Sequence, residues 1–212
     1  MQVSVFKSAN KLITGEGALA SLAHELSRLN IKAPAIITDK GVSQSGALSH
    51  VTNVLNCECP IVIDDIPPEP EISIIEQRLA RLKQHKVDGI IAVGGGSAID
   101  SAKVLAATFD YTGNIADLFG ENLVAGRALP LIAIPTTAGT GSEVTNIAIL
   151  ADPVAHVKKG IVSDYLLPDV AIVTPEMTLS CPKHITAASG VDAFVHALEA
   201  YLSVNASPIT DA

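Results

Sequence analysis

Four groups of residues in this 212-residue sequence combine types and spacing that can support chemistry. The most compact is Gly94-Gly-Gly-Ser-Ala-Ile-Asp100, set between the apolar run Gly89–Val93 and a helical pattern over Ala98–Ala107. Successive glycines let the backbone approach a bulky anion, and the free N–H groups and positive dipole end of the following helix favour a pyrophosphate there. A tight strand-to-helix turn capped by Ser97 would use the same residues. The segment is neither of the common phosphate motifs. Ile99 stands where G-x-G-x-x-G ends, and no Gly-Lys-Ser/Thr follows.

The second group, Pro135-Thr-Thr-Ala-Gly-Thr-Gly-Ser-Glu143, follows another apolar run and offers hydroxyl and amide donors without spending charge. The third is Asp39, just past Ala35–Thr38. An acid at the end of an early strand can accept bonds from ribose hydroxyls and repel the 2′-phosphate of NADP, or it can simply cap a helix. The fourth is the pair Asp192 and His196. Four residues apart on a helix, carboxylate and imidazole share one face, ready either for a divalent cation or for each other. Two donors are fewer than the three protein ligands usual at a catalytic metal.

Short β-branched runs must position the first three groups. Ala35–Thr38, Ile61–Ile63, Gly89–Val93 and Leu131–Ile134 read as buried strands, with Leu19/Leu22/Leu26/Leu29 and Ile72/Ile75/Leu79/Leu82 as helical stripes between them. That alternation predicts an α/β fold on a parallel sheet. It weakens after Ile134, where Val144–Leu150, Ile161–Val162 and Val170–Val173 are short extended pieces. From Lys183 the pattern is helical, with Ile185, Ala188, Val191, Val195, Leu198 and Leu202 on one stripe, so Pro182 marks a domain boundary. Ser207–Ala212 reads as a new helix start with Thr210 or Asp211 as cap, which implies either a piece of a longer protein or a disordered tail.

Composition narrows the class. Hydrophobic residues make up 48% and charged ones 17%, which demands a real core. A net charge of −8 repels phosphate backbones, and no apolar run approaches the length of a membrane span. A cytoplasmic protein without nucleic-acid or membrane partners is expected. Cys57 and Cys59 are one residue apart, too close for a zinc knuckle, and read as core or loop thiols.

Taken in order, Asp39, Gly94-Gly-Gly-Ser-x-x-Asp100-x-x-Lys103, Pro135-Thr-Thr-Ala-Gly-Thr-Gly-Ser-Glu-Val-Thr145 and Gly190-Val-Asp-Ala-x-x-His-Ala-x-Glu-Ala-Tyr201 resemble the iron-containing (group III) alcohol dehydrogenases along nearly the whole chain. The resemblance implies a Rossmann-like dinucleotide-binding domain, a parallel sheet flanked by helices, over 1–181. Residues 182–212 would begin an all-helical metal-binding domain. It further implies that Gly95, Gly96 and Ser97 hold the pyrophosphate of NAD, with Asp100 in the same motif, and that Asp39 faces the adenosine ribose. Thr136, Thr137 and Thr140 would line the diphosphate and nicotinamide side, with Ser142 nearby and Lys158 touching the cofactor. Asp192 and His196 match the first two ligands of a divalent metal, iron by preference and zinc as the alternative.

The implied reaction is metal-assisted hydride transfer between NAD(H) and a small alcohol or aldehyde, in a homo-oligomer. Glu69 stands where the family often has Asn, and Thr174-Pro175 replaces its Asp-Pro. The family's other two metal ligands are histidines beyond the equivalent of Asp211, so this chain alone is expected to be inactive. The alternatives are a non-catalytic nucleotide-binding fragment and an NAD-using lyase resembling dehydroquinate synthase.

Overall fold

The β-branched runs assemble into one six-stranded parallel sheet. The structure, a computed structural model, describes residues 5–59, 61–153 and 156–211. The strands are β1 (Leu12–Thr14), β2 (Pro34–Ile37), β3 (Ile61–Ile63), β4 (Gly89–Gly94), β6 (Leu131–Pro135) and β9 (Val170–Val173), in spatial order β1-β9-β6-β4-β2-β3. Strands buried on both faces need apolar residues at every position rather than alternate ones. That is why β2, β4 and β6 are buried throughout.

Each face has its own core. Ile36, Ile91, Val93, Ile132 and Ile134 pack with Leu22 and Leu26 of α1 (Leu22–Arg28) and with α2 (Lys40–Ser45) and α3 (Ala47–Val54). Ala35, Ile37, Ile90, Ala92, Leu131 and Ala133 face α4 (Ile72–Leu82) and α5 (Gly96–Thr108). Both helical stripes read from the sequence point inward, Leu19/Leu22/Leu26 on one side and Ile75/Leu79/Leu82 on the other. The result is the expected α/β Rossmann-like sheet.

Two stretches show more than the sequence reading specified. The extended pieces after Ile134 do not extend the main sheet, except for β9. Instead β7 (Ile147–Asp152) and β8 (Val157–Val162) pair antiparallel, and β5 (Gly120–Glu121) joins β8, to make a second small sheet. This sheet covers the outer side of α5, so Ala98–Thr108 are all buried and the helix carries no polar face. At the other end of the chain, residues 208–210 form a turn rather than a helix start capped by Thr210 or Asp211. Ser207 and Thr210 bond reciprocally, each N–H to the other's hydroxyl, and Asp211 N–H reaches Ser207 O at 2.9 Å.

The last long helix, α6 (Lys183–Leu202), buries none of its residues. Its apolar stripe stays open to solvent, Leu202 at 69%. Cys57 and Cys59 are free thiols packed beside the core on the α1–α3 face, and burial pushes both above the usual thiol range. No helix among the described residues is long and apolar enough to cross a membrane.

Candidate functional site

The register of the sheet brings three of the four groups to one edge. Ile37, Ala92 and Ala133 lie side by side on β2, β4 and β6, so the chain leaves these strands at Asp39, Gly95 and Thr136 along the same carboxyl end. Open parallel sheets bind ligands in that location. Gly94 has a φ of 156°, and a methyl group there would sit 2.7 Å from Ala98 Cβ and 3.2 Å from Asp39 Oδ2. The turn therefore needs glycine to let β4 enter α5 beside Asp39. Side chains at Gly95 and Gly96 would press on Thr137, Thr140 and Ser142, so the two loops meet because the glycines are bare.

Local bonding decides between the readings of these residues. Gly95 caps α5 with no side-chain bond, so the helix start is not closed by Ser97. The Ser97 hydroxyl instead accepts the Glu69 N–H at 3.3 Å. Asp39 does cap α2, its Oδ1 accepting the Val42 N–H at 3.0 Å, while Oδ2 is left beside Gly94. Capping and ligand binding are compatible in one carboxylate, because each oxygen carries its own lone pairs.

Beneath the loops lies a buried ion pair. Lys103 is fully buried, and its Nζ donates to Asp100 Oδ1 at 3.3 Å, Thr145 Oγ1 at 3.1 Å and the Ile147 carbonyl at 2.7 Å. Asp100 Oδ2 accepts the Ile149 N–H at 2.9 Å. Burial pulls the Lys103 ammonium below the ordinary lysine range, against the opposing pull of Asp100. The pair ties α5 to β7 and to the end of the Thr/Gly/Ser loop, so its two members position the loop from below.

Facing this edge is α6. A methyl group on Gly139 would lie 2.2 Å from the Ser189 carbonyl oxygen, so the loop and the helix touch backbone to backbone. That contact brings Asp192 and His196 to a cleft of about 710 Å³ that also reaches Gly96, Ser97, Thr140 and Lys158. His196 Nε2 and Asp192 Oδ1 are 3.7 Å apart and roughly half exposed, too far for a hydrogen bond. They are on one face and unspent on each other, which suits two ligands of one cation. Among the described residues no group of three candidate ligands forms.

Comparison with known proteins decides the family. The model for iron-containing alcohol dehydrogenase matches residues 9–175. This chain belongs to the iron-containing alcohol dehydrogenase family. The model for the C-terminal region of Fe-containing alcohol dehydrogenases matches residues 186–212. Long-chain-alcohol dehydrogenase 1 of Geobacillus thermodenitrificans is 45% identical over 202 residues, 93% of this chain and 51% of its own length. Sulfoacetaldehyde reductase of Bilophila wadsworthia is 39% identical over 211 residues, 98% of this chain and 54% of its own. The crystal structure of sulfoacetaldehyde reductase from Bifidobacterium kashiwanohense in complex with NAD+ superposes with a TM-score of 0.90 at 30% identity, covering 99% of this chain and 56% of that one. The chain thus spans about half the length of the curated relatives it matches.

Within this member of the iron-containing alcohol dehydrogenases, the expected residues divide into two sets. Gly96, Ser97, Asp100, Thr140, Ser142, Lys158, Asp192 and His196 line the cleft. Asp39, Gly95, Thr136 and Thr137 lie outside its lining: Asp39 and Gly95 flank the turn, Thr137 packs on Gly95, and Thr136 is buried with its N–H on Gly94 O. Two residues carry more than the sequence reading assigns them. Gly139 is a contact point rather than a flexible spacer, and Glu69 reaches the cleft as the ion-pair partner of Lys158. Both involve contacts distant in sequence, and local spacing carries no sign of them.

Proposed function

We propose that this chain forms the NAD-binding side and the first metal-bearing helix of an alcohol/aldehyde oxidoreductase. Residues 1–181 would be the dinucleotide domain and 182–212 the start of a helical metal domain. The observation that carries this reading is the convergence of Asp39, the Gly95-Gly96-Ser97 turn and the Thr/Gly/Ser loop on one sheet edge, with Asp192 and His196 across the same cleft. The NAD+ complex of a structural relative supports the choice of cofactor.

When bound, NAD(H) supplies the hydride acceptor or donor and a divalent metal supplies a Lewis acid for the substrate oxygen. The residues of this chain bind and orient. Open N–H groups at the start of α5, with its dipole, hold the pyrophosphate. Thr140 and Ser142 line the diphosphate and nicotinamide side, with Thr136 and Thr137 supporting the loop behind them, and Lys158 offers a cation. Asp39 accepts the ribose hydroxyls and repels a 2′-phosphate. Asp192 and His196 are two of the metal ligands, a donor set that suits iron, which the family name favours, and zinc as well. The substrate is a small alcohol or aldehyde. Three free cysteines agree with a reducing, cytoplasmic setting, and the exposed apolar side of α6 agrees with a homo-oligomer.

Titration of the purified protein with NADH and NADPH tests the reading. NADH is expected to bind more tightly, and Asp39→Gly to narrow the gap to NADPH by about tenfold, one like-charge contact being removed. Glycine is tolerated at helix caps, so α2 should survive the change. Equal binding of both cofactors by the unaltered protein would refute the role of Asp39.

A further inference from the structure

Charge is unevenly distributed around the cleft. Of the described residues lining it, Lys158 carries the only permanent positive charge, while Glu69, Asp100 and Asp192 are acids. Asp100 is already matched by Lys103. Lys158 is not free either, because its Nζ lies 2.8 Å from Glu69 Oε1. The two come from different parts of the fold, Lys158 from β8 of the small sheet and Glu69 from the loop before α4.

Glu69 is held there by its backbone. Its φ of 52° lies in the left-handed region, unusual for a glutamate, and its N–H donates to Ser97 Oγ within the glycine turn. This holds the Glu69 main chain beside the turn that the pyrophosphate would occupy, with its carboxylate in reach of the cleft. Both side chains stay open to water, 57% for Lys158 and 64% for Glu69, so the pair is weak enough to be exchanged.

We propose that Glu69 competes with the cofactor's phosphates for Lys158 and so lowers the affinity for dinucleotide. This rests on the dinucleotide reading above. Binding moves the Lys158 ammonium from the carboxylate to a phosphate oxygen, and it leaves Glu69 unpaired near a second anion. Losing the pair and gaining a like charge both oppose binding. The penalty speeds release of the bound cofactor, and salt weakens it because both groups face solvent.

The test is fluorescence titration of NADH with the purified protein, with Glu69→Gln, with Lys158→Gln and with the double variant, each checked for fold by circular dichroism. Glu69→Gln keeps the side-chain length and the backbone strain, so the difference reads charge. It is expected to bind NADH roughly threefold to tenfold more tightly at about 0.02 M salt, with most of the gain gone near 0.5 M. Lys158→Gln should weaken binding, and adding Glu69→Gln to it should recover distinctly less than in the parent. An unchanged or weaker Glu69→Gln, with normal binding by the parent, overturns the proposal and leaves the dinucleotide reading standing. A full gain in the Lys158→Gln background overturns competition for Lys158. Failure of the parent to bind NADH removes the dinucleotide reading itself, and the proposal with it.

Discussion

Two helices of this protein each carry a carboxylate and a basic side chain one turn apart, and they put them to opposite uses. On α5, Asp100 and Lys103 are almost wholly buried at 3.3 Å, and the lysine's donors also serve Thr145 and the Ile147 carbonyl. On α6, Asp192 and His196 are about half exposed at 3.7 Å, beyond hydrogen-bond reach of each other and with no hydrogen bond to a third group among the described residues. Sequence spacing is nearly the same in the two cases. Burial makes the first pair a structural clamp, and exposure leaves the second free for a ligand.

The sharpest way to break this contrast is to remove one member of the clamp. Lys103→Met is expected to cost about 3–5 kcal/mol in denaturant unfolding, since it strands a buried carboxylate that, among the described residues, only the Ile149 N–H still bonds. Loss of order in the Thr/Gly/Ser loop should accompany it. Asp192→Asn is the counterpart on α6. Stability should stay within about 0.5 kcal/mol, while affinity for Zn2+ or Fe2+, measured by calorimetry, should fall at least about tenfold. Were Asp192→Asn to destabilise the fold as Lys103→Met does, the two pairs would be of one kind.

The same contrast explains what the sequence reveals and what it hides. β2, β4 and β6 are legible because each is a continuous β-branched run, and their parallel register follows from the helices between them. The glycine turn and the Asp192/His196 pair are legible because their chemistry lies within a few residues. The small sheet is not, since the packing of β7 on α5 joins residues more than forty positions apart. Nor does the sequence show that the Asp100–Lys103 pair is clamped: Thr145 and Ile147, which bond Lys103, and Ile149, which bonds Asp100, are more than forty residues away.

A third carboxylate lies between the extremes and gives the smallest effect. Glu25 is buried on α1, but its partners Lys11 and Arg28 are partly exposed. Burial alone would raise its pKa, and the hydrogen bonds from Lys11 and Arg28 outweigh that and hold it below the usual 4.5. A lowered folded-state pKa means the stabilisation is complete above pH 4.5 and disappears as pH falls through the folded value. Glu25→Gln should therefore be less stable than the parent at neutral pH, and the gap should close in thermal melts recorded from pH 5 downward.

The Gly139–Ser189 contact has a mechanical meaning. It acts as a fulcrum, and α6 is the lever that runs from it. His196 is seven residues beyond Ser189, roughly 10 Å along the helix axis. A tilt of roughly 10° about the fulcrum would carry the imidazole about 2 Å, close to the full length of a metal–nitrogen bond. The distance between the glycine-turn side and the α6 side of the cleft is thus governed by the lack of a methyl group at one loop position.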